Sequence, residues 1–249
     1  MGTVYGDQLS FTTLGTNPII FNPALTYGLV TDVDGNCYKT IQMGGQVWMA
    51  ENLKTSRYND GTPLPNVTDP VEWVNLLTKS YPLPNHELIY EIVGAFCWYN
   101  NDSSGYENEY GKLYNFGAAE SRKLCPTGWH VPTIQEWHTL CDPYKFFNPN
   151  DHTGPSGNEL METTTNHWNQ VIGTNETGFT ALPGGIRYGN SFDQNGARGY
   201  YWSSDRGGIP YGAQGLYYRF PYYYDFPSTP LEGLKEVIYG LSIRCVKDN

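Results

Sequence analysis

Glycine and proline punctuate this chain so densely that its fold has to be assembled from short elements joined by many turns. There are 28 glycines and 17 prolines in 249 residues. Glycine supplies positive φ and proline removes a backbone donor, so each tends to mark a turn, a bulge or the end of an element. Short elements hold together only around a substantial core, and here the aromatics have to supply it. They make up 15% of the chain, with 21 tyrosines and 7 tryptophans. Disordered segments are depleted in aromatics, so this composition indicates a globular protein with an aromatic interior. The length allows one large domain or two small ones.

The formal net charge of −10 excludes several function classes. Phosphate recognition needs clustered Lys and Arg, so no nucleic acid partner is expected. An anionic membrane surface is disfavoured for the same reason. No stretch reaches the roughly 18 apolar residues of a membrane span, so no insertion by this chain is expected. Met1-Gly2-Thr3 runs straight into polar sequence without a signal peptide, which reads as a trimmed start inside the tail of another element. The cysteines (Cys37, Cys97, Cys125, Cys141 and Cys245) include no C-x-x-C pair, so zinc-ribbon and redox spacings are absent. Spacing alone leaves open whether any of them pair; if the others do, at least one thiol stays free.

Residues 1–17 read as a remnant strand of a preceding β-sandwich domain, Gln8 to Thr13, plus a linker. From Thr26 two hairpins follow. Tyr27–Thr31 and Cys37–Ile41 flank Asp34-Gly35-Asn36, a strong turn signal, and Gly44-Gly45 then turns into Gln46–Met49. Asp32-Val33-Asp34-Gly35-Asn36 has the look of a calcium loop but lacks the remaining oxygen ligands, so the hairpin reading is preferred. Two helices carry start signals. Asp69-Pro70-Val71-Glu72 and Thr133-Ile134-Gln135-Glu136 each place a Glu three residues after a capping side chain. In the second, Trp137, Leu140, Cys141 and Tyr144 form one apolar face. Weaker helices are expected over 114–121 and near 158–162. Beyond Thr163, short strands are expected at 179–182, 185–188, 200–203, 217–220 and 241–246. The fold class is therefore α+β, with an irregular antiparallel sheet, two main helices and long loops.

No nucleophile elbow, H-E-x-x-H, Walker loop or dinucleotide fingerprint occurs. His130 and His138 flank the capped helix eight positions apart, the wrong spacing for a helical zinc pair, and His130 reads as a hydrogen-bonded structural residue. His86, His152 and His167 lie in polar loops without partner spacing. No pair of carboxylates is singled out for acid–base work, and Cys97 and Cys125 sit in packing contexts. No catalytic residue, metal ligand or cofactor is expected; a structural calcium is left open, with nothing in the sequence to support one. The tyrosines stand apart. Tyr200, Tyr201, Tyr211, Tyr217, Tyr218, Tyr222, Tyr223 and Tyr224 crowd into one short segment. Successive strand residues face opposite sides, so runs such as 222–224 cannot all point inward. Tyrosine offers rigid contact area and a hydroxyl at low entropy cost, as recognition surfaces require.

Eight ordered blocks give the chain a resemblance to a known family. They are Thr31–Asn36, Gln46–Lys54, Trp98–Asp102, Tyr110–Asn115, Leu124–Pro132, Gly178–Gly185, Tyr201–Ser204 and Ser242–Val246. Together they resemble the Fibrobacter succinogenes major paralogous domain, over residues 26–249. The resemblance implies a C-type-lectin-like fold, similar to the formylglycine-generating enzyme, in an exported and often lipid-anchored surface protein of Fibrobacter or Bacteroides-type bacteria. That enzyme's active cysteines are not matched, so its activity does not carry over. The resemblance also implies that Cys125 and Cys245 pair.

Variable proteins of diversity-generating retroelements share this fold and display a segment after a Trp-Ser-Ser motif. Trp202-Ser203-Ser204 and Ser242-Ile243-Arg244 are similar to the ends of such a segment, although Gln214 and the stretch 227–237 depart from the common pattern. The expected function is recognition of a glycan or protein at the cell surface, anchored by a part outside this sequence. Candidate ligand-binding residues are Asp205, Arg206, Tyr211, Tyr217, Tyr218, Arg219, Tyr222, Tyr223 and Tyr224. The alternatives are a structural or pilus-tip assembly module, and an enzyme related to the formylglycine-generating group.

Overall fold

The computed structural model describes residues 18–82, 88–141, 159–163, 166–169, 173–206, 213–218 and 239–249. The strand expected over 8–13 lies outside them, as do Tyr211, Arg219 and Tyr222–Tyr224.

The N-terminal hairpins form as their turn residues dictate. Strands β1 (Gly28–Thr31), β2 (Cys37–Met43) and β3 (Gln46–Met49) pair antiparallel, with Thr31 opposite Cys37 across the Asp34-Gly35 turn. Gly35 takes φ 86°, which an L side chain resists. Two distant strands complete this sheet in the order β1-β2-β3-β13-β8: β8 (Trp129–His130) and β13 (Val246–Lys247), the latter between β3 and β8. The C-terminal end of the chain is thus an interior strand.

Both signalled helices form. Helix α1 (Pro70–Asn75) starts at Asp69, whose carboxylate accepts the amides of Val71 and Glu72 at 2.8 and 2.9 Å. At the other helix, α4 (Ile134–Cys141), the capping box is complete. Glu136 N–H donates to Thr133 Oγ1 at 3.2 Å, and the Thr133 amide donates to Glu136 Oε2 at 2.7 Å. Trp137 and Leu140 are buried, as the apolar stripe requires.

The sequence signals miss helix α2 (Ser103–Tyr110), which opens on Asp102 as its cap. Serines and a glycine in its first turn give it poor intrinsic propensity. The helix expected over 114–121 is shorter, α3 (Phe116–Ala119), because Leu113–Tyr114 instead form strand β7 against β6 (Phe96–Cys97). Strands β4 (Leu77–Pro82) and β5 (Leu88–Ile92) form a further antiparallel pair. Residues 159–162 make a turn and a bridge, not a helix.

A second sheet runs β10-β9-β11-β12, from β9 (Gly184–Tyr188), β10 (Ser191–Asn195), β11 (Gly199–Arg206) and β12 (Ala213–Tyr218). Its pairs are antiparallel except one parallel contact, Gly199 with Gly185. Gly185 has φ 70°, and a Cβ there would lie 2.6 Å from the Asp193 carbonyl. The strand expected at 179–182 does not form. Asn175 and Thr180 adopt left-handed backbone, and the Phe179 and Thr180 carbonyls turn toward the Arg244 guanidinium instead of a neighbouring strand.

The interior is aromatic, as composition demands. Trp48 and Trp137 lie 4.7 Å apart centre to centre, and Phe179 and Tyr201 close the group at 5.8 to 6.0 Å from Trp137 and each other. Buried indoles and phenols usually find partners for their N–H and O–H. Trp137, Trp168 and Trp202 donate to the carbonyls of Trp202, Ala181 and Tyr114, and Tyr114 donates to Thr55 O. The fold is thus α+β, mostly sheet with few helices.

Candidate ligand-binding face

The tyrosine-rich segment leaves the core along β11. Tyr200, Tyr201, Trp202 and Ser203 are all buried, so this strand is covered on both sides. Tyr200 and Tyr201 therefore belong to the core and drop out of the display cluster. Tyr201 packs on Trp137 and Phe179, and its hydroxyl donates to the Leu182 carbonyl at 3.1 Å. Trp202 lies against Phe116.

The segment returns beside its point of departure. The Trp202 amide donates to Ser242 O, and the Ser242 amide to Tyr200 O, both at 3.1 Å. Gly240 and Arg187 exchange two backbone bonds at 2.8 and 3.0 Å. The two motifs that bracket the tyrosines in sequence thus touch, forming a stem. Arg244 secures it. The fully buried guanidinium donates to Asn52 Oδ1 at 2.7 Å and to the carbonyls of Phe179 at 2.7 Å, Thr180 at 2.8 Å and Met49 at 3.2 Å. It also lies over the rings of Phe179 and Tyr201, at 4.7 and 5.7 Å.

Beyond the stem, β12 runs back along β11. Tyr217 stands opposite Tyr200 and Tyr218 opposite Gly199, and the register shifts between Trp202 and Arg206, which pairs with Ala213. Asp205 is half-buried at the far end of β11, next to Arg206. The structure thus brings Asp205, Arg206, Tyr217 and Tyr218 onto one hairpin.

Residues 41–247 match the family described as Fibrobacter succinogenes major domain. The chain belongs to that family. No curated protein and no solved structure matches it.

Arg187 is a positioning residue of this Fibrobacter succinogenes major domain that sequence reasoning missed. It stacks on Trp73 at 4.2 Å and donates to the carbonyls of Val67, Thr68 and Asp69, fixing the start of α1 to β9. The calcium-like string is filled by donors. Asp32 accepts from the amides of Asp34 and Asn36, from Asn36 Nδ2 and from Tyr38 O–H. Asp34 accepts from Ser56 and Thr55 and faces Arg57 at 3.3 Å. Asp32 therefore braces the turn from within, and Asp34 pins the hairpin to 55–57. Among the described residues no three His, Cys, Asp or Glu side chains are placed to hold a metal ion, and no helix is long and apolar enough to cross a membrane.

Cys125 and Cys245 form a disulfide, with Cα atoms 6.0 Å apart. Cys97 is buried, which pushes its thiol up to about 11, and Cys37 is exposed.

His130 is the hydrogen-bonded structural residue the sequence suggests. Nδ1 lies 2.6 Å from Asp248 Oδ1, and Nε2 lies 2.9 Å from Glu136 Oε1. Partial burial pulls its pKa down, but the bonds to Asp248 and Glu136 outweigh this and raise it above the usual histidine value. The raised value means that the folded state holds the proton more tightly than the unfolded chain. Its stabilisation is therefore complete below about pH 6.5 and lost as pH rises through the folded pKa. Urea midpoints measured across that range should fall with pH in the wild type and fall less in His130→Gln. Equal slopes in the two proteins would refute the assignment.

Proposed function

We propose that this chain is an exported, surface-displayed binding module that recognises a glycan or protein through the tyrosine-rich segment after Trp202. The stem carries the reading: a segment dense in tyrosine departs from and returns to one point of the core. Such an arrangement lets the displayed residues vary while the scaffold stays folded. Pre-fixing the ends also lowers the ordering cost of binding. The scaffold is C-type-lectin-like in this reading, with Asp205, Arg206, Tyr217 and Tyr218 on the hairpin and Tyr211, Arg219 and Tyr222–Tyr224 adjoining it in sequence. The disulfide supports an oxidising, exported location, because such bonds are rare in reducing compartments. Of the two cysteines weighed as nucleophiles, Cys97 is buried and Cys125 is bonded to Cys245, which favours binding over catalysis by either.

The test is a glycan and protein array probed with the wild type, Tyr218→Ala and Tyr223→Ala. The expected result is a ligand whose affinity falls at least about tenfold in either variant, as when an interface anchor is truncated, with the melting temperature unchanged. A melting temperature that drops sharply in both variants would assign the tyrosines to subunit packing or to the core.

A further inference from the structure

The turn Tyr99–Asn101 lies in a sequence block, Trp98–Asp102, that the tyrosine stem does not use. Asn100 and Asn101 are both left-handed, at φ 52° and 58°. Residues other than glycine visit that region singly, so two in succession mark a turn that the surrounding fold has fixed. Asn101 has a structural task, since its Nδ2 donates to Thr68 O at 3.1 Å. Asn100 is exposed, and its carboxamide has no partner among the described residues.

Tyr99 lays its ring on strand β9. A Cβ on Gly185 would come within 2.8 Å of Tyr99 Cε2, so glycine leaves the ring its seat. Tyr106 of α2 lies 5.0 Å from that ring and Phe192 of β10 lies 5.5 Å from it, centre to centre. All three rings are partly exposed. Both ends of the row are rooted in the core. Tyr106 meets the buried Tyr110 at 5.9 Å, and Phe192 rests 5.4 Å from the Arg187 guanidinium, which stacks on the buried Trp73. Arg187 is itself buried and committed to carbonyls, so it offers no charge at the surface. Burial raises the Tyr99 phenol above its usual value; the Asn195 amide opposes this, and Tyr106, Asp193 and Tyr188 add to it, so these groups surround one neutral hydroxyl. Asp193 is exposed, and Gln194 Nε2 donates to its Oδ2 at 2.9 Å.

We propose that Tyr99, Tyr106 and Phe192 form a second ligand site, which takes the face of an uncharged sugar ring on Tyr99 and its hydroxyls on Asn100, Asp193 and Gln194. A pyranose has an apolar C–H face and a polar rim. The site has the matching parts: rigid rings in the middle, and carboxamides and a carboxylate beside them that accept and donate to hydroxyls. A stable protein interface takes roughly 20–30 residues a side, whereas this handful of side chains is the footprint of one or two sugar rings. The rooted rings and the fixed turn hold the site in shape before a ligand arrives, which lowers the ordering cost of binding. The site is separate from the tyrosine hairpin: in the order β10-β9-β11-β12 it lies at the β10 edge of the sheet, and the hairpin ends at the β12 edge.

The experiment is an NMR titration of the full chain with three uncharged oligosaccharides, cellohexaose, xylohexaose and maltohexaose, and with an anionic one, a heparin hexasaccharide. The expected result is that at least one uncharged probe binds with a Kd of about 1 mM or tighter. It should shift the ring protons of Tyr99 and Tyr106, and saturation of the aromatic protons should pass to its C–H protons. Tyr99→Ala should weaken that binding at least about tenfold, as for an interface anchor, while Tyr99→Phe keeps it and Tyr218→Ala leaves it unchanged. Asn100→Gly suits the left-handed backbone and removes only the carboxamide, so it decides the matter if Tyr99→Ala does not fold; it should weaken binding about fivefold, as for one lost hydrogen bond. Binding by none of the uncharged probes overturns the proposal, as does binding of the heparin fragment alone. Uncharged-probe binding that survives both Tyr99→Ala and Asn100→Gly, or that is lost in Tyr218→Ala, overturns it equally.

Discussion

Replacing Arg244 with methionine is expected to cost about 4 kcal/mol or more, a large part of the roughly 5–15 kcal/mol that stabilises a typical domain. Methionine fills much of the volume but donates nothing. The carbonyls of Met49, Phe179 and Thr180 and the amide oxygen of Asn52 would lose the guanidinium donor each now has. Buried acceptors left without donors cost about 1–3 kcal/mol each. The damage should spread, because Thr180 is β-branched and sits at φ 55°, a conformation it adopts only under constraint. Its carbonyl is held by Arg244, and its amide by Asn175. With the arginine gone, the 175–180 turn has one fewer reason to stay left-handed. Arg244→Lys should recover little, since one ammonium cannot span the four acceptors or stack flat on Phe179. Urea unfolding followed by tryptophan fluorescence measures both. A methionine variant within about 1 kcal/mol of the wild type would overturn this account of the core.

This arginine also shows how far the sequence is legible. Arg244 lies in a recognisable closing block, yet its role depends on carbonyls from residues 49, 179 and 180, which only the folded chain brings together. Local chemistry reads well. The Asp34-Gly35 turn, the Asp69 cap and the Thr133–Glu136 box form because their partners are within a few residues. Helix α2 did not read, because Ser103, Ser104 and Gly105 argue against a helix and only the Asp102 cap and the Tyr106/Tyr110 spacing argue for it. The 179–182 stretch misled for the opposite reason: its residues suit a strand, and a distant guanidinium bends them out of one.

The candidate site divides along the same line. Composition picked out the tyrosines, but density along the chain carries no information about burial. Tyr200 and Tyr201 look like their neighbours in sequence and turn out to be core, because Ser242 pairs beside Tyr201 and Leu182 receives its hydroxyl. The disulfide likewise could not be read from spacing; it followed from the family resemblance alone.

Opening that disulfide is expected to be the other large effect. The bond closes a loop with a sequence separation of 120 residues. For a loop that long, the lost freedom of the unfolded chain corresponds to roughly 4–5 kcal/mol. Cys125→Ala/Cys245→Ala should therefore lower the urea midpoint sharply, and the wild type under reductant should approach the same value. Equal midpoints for the oxidised and reduced wild type would contradict it. The structure adds a more specific expectation. The Cys245 carbonyl accepts the Met49 amide, and the next residue enters β13 between β3 and β8. The bond thus clamps the strand just beyond the point where the tyrosine segment returns. Fraying there should loosen the Trp202–Ser242 stem before the hairpins of the first sheet feel it. In the reduced protein, affinity for an array-identified ligand should accordingly fall further than the folded fraction does, because a binding face whose two ends are no longer fixed has to be ordered again at each encounter.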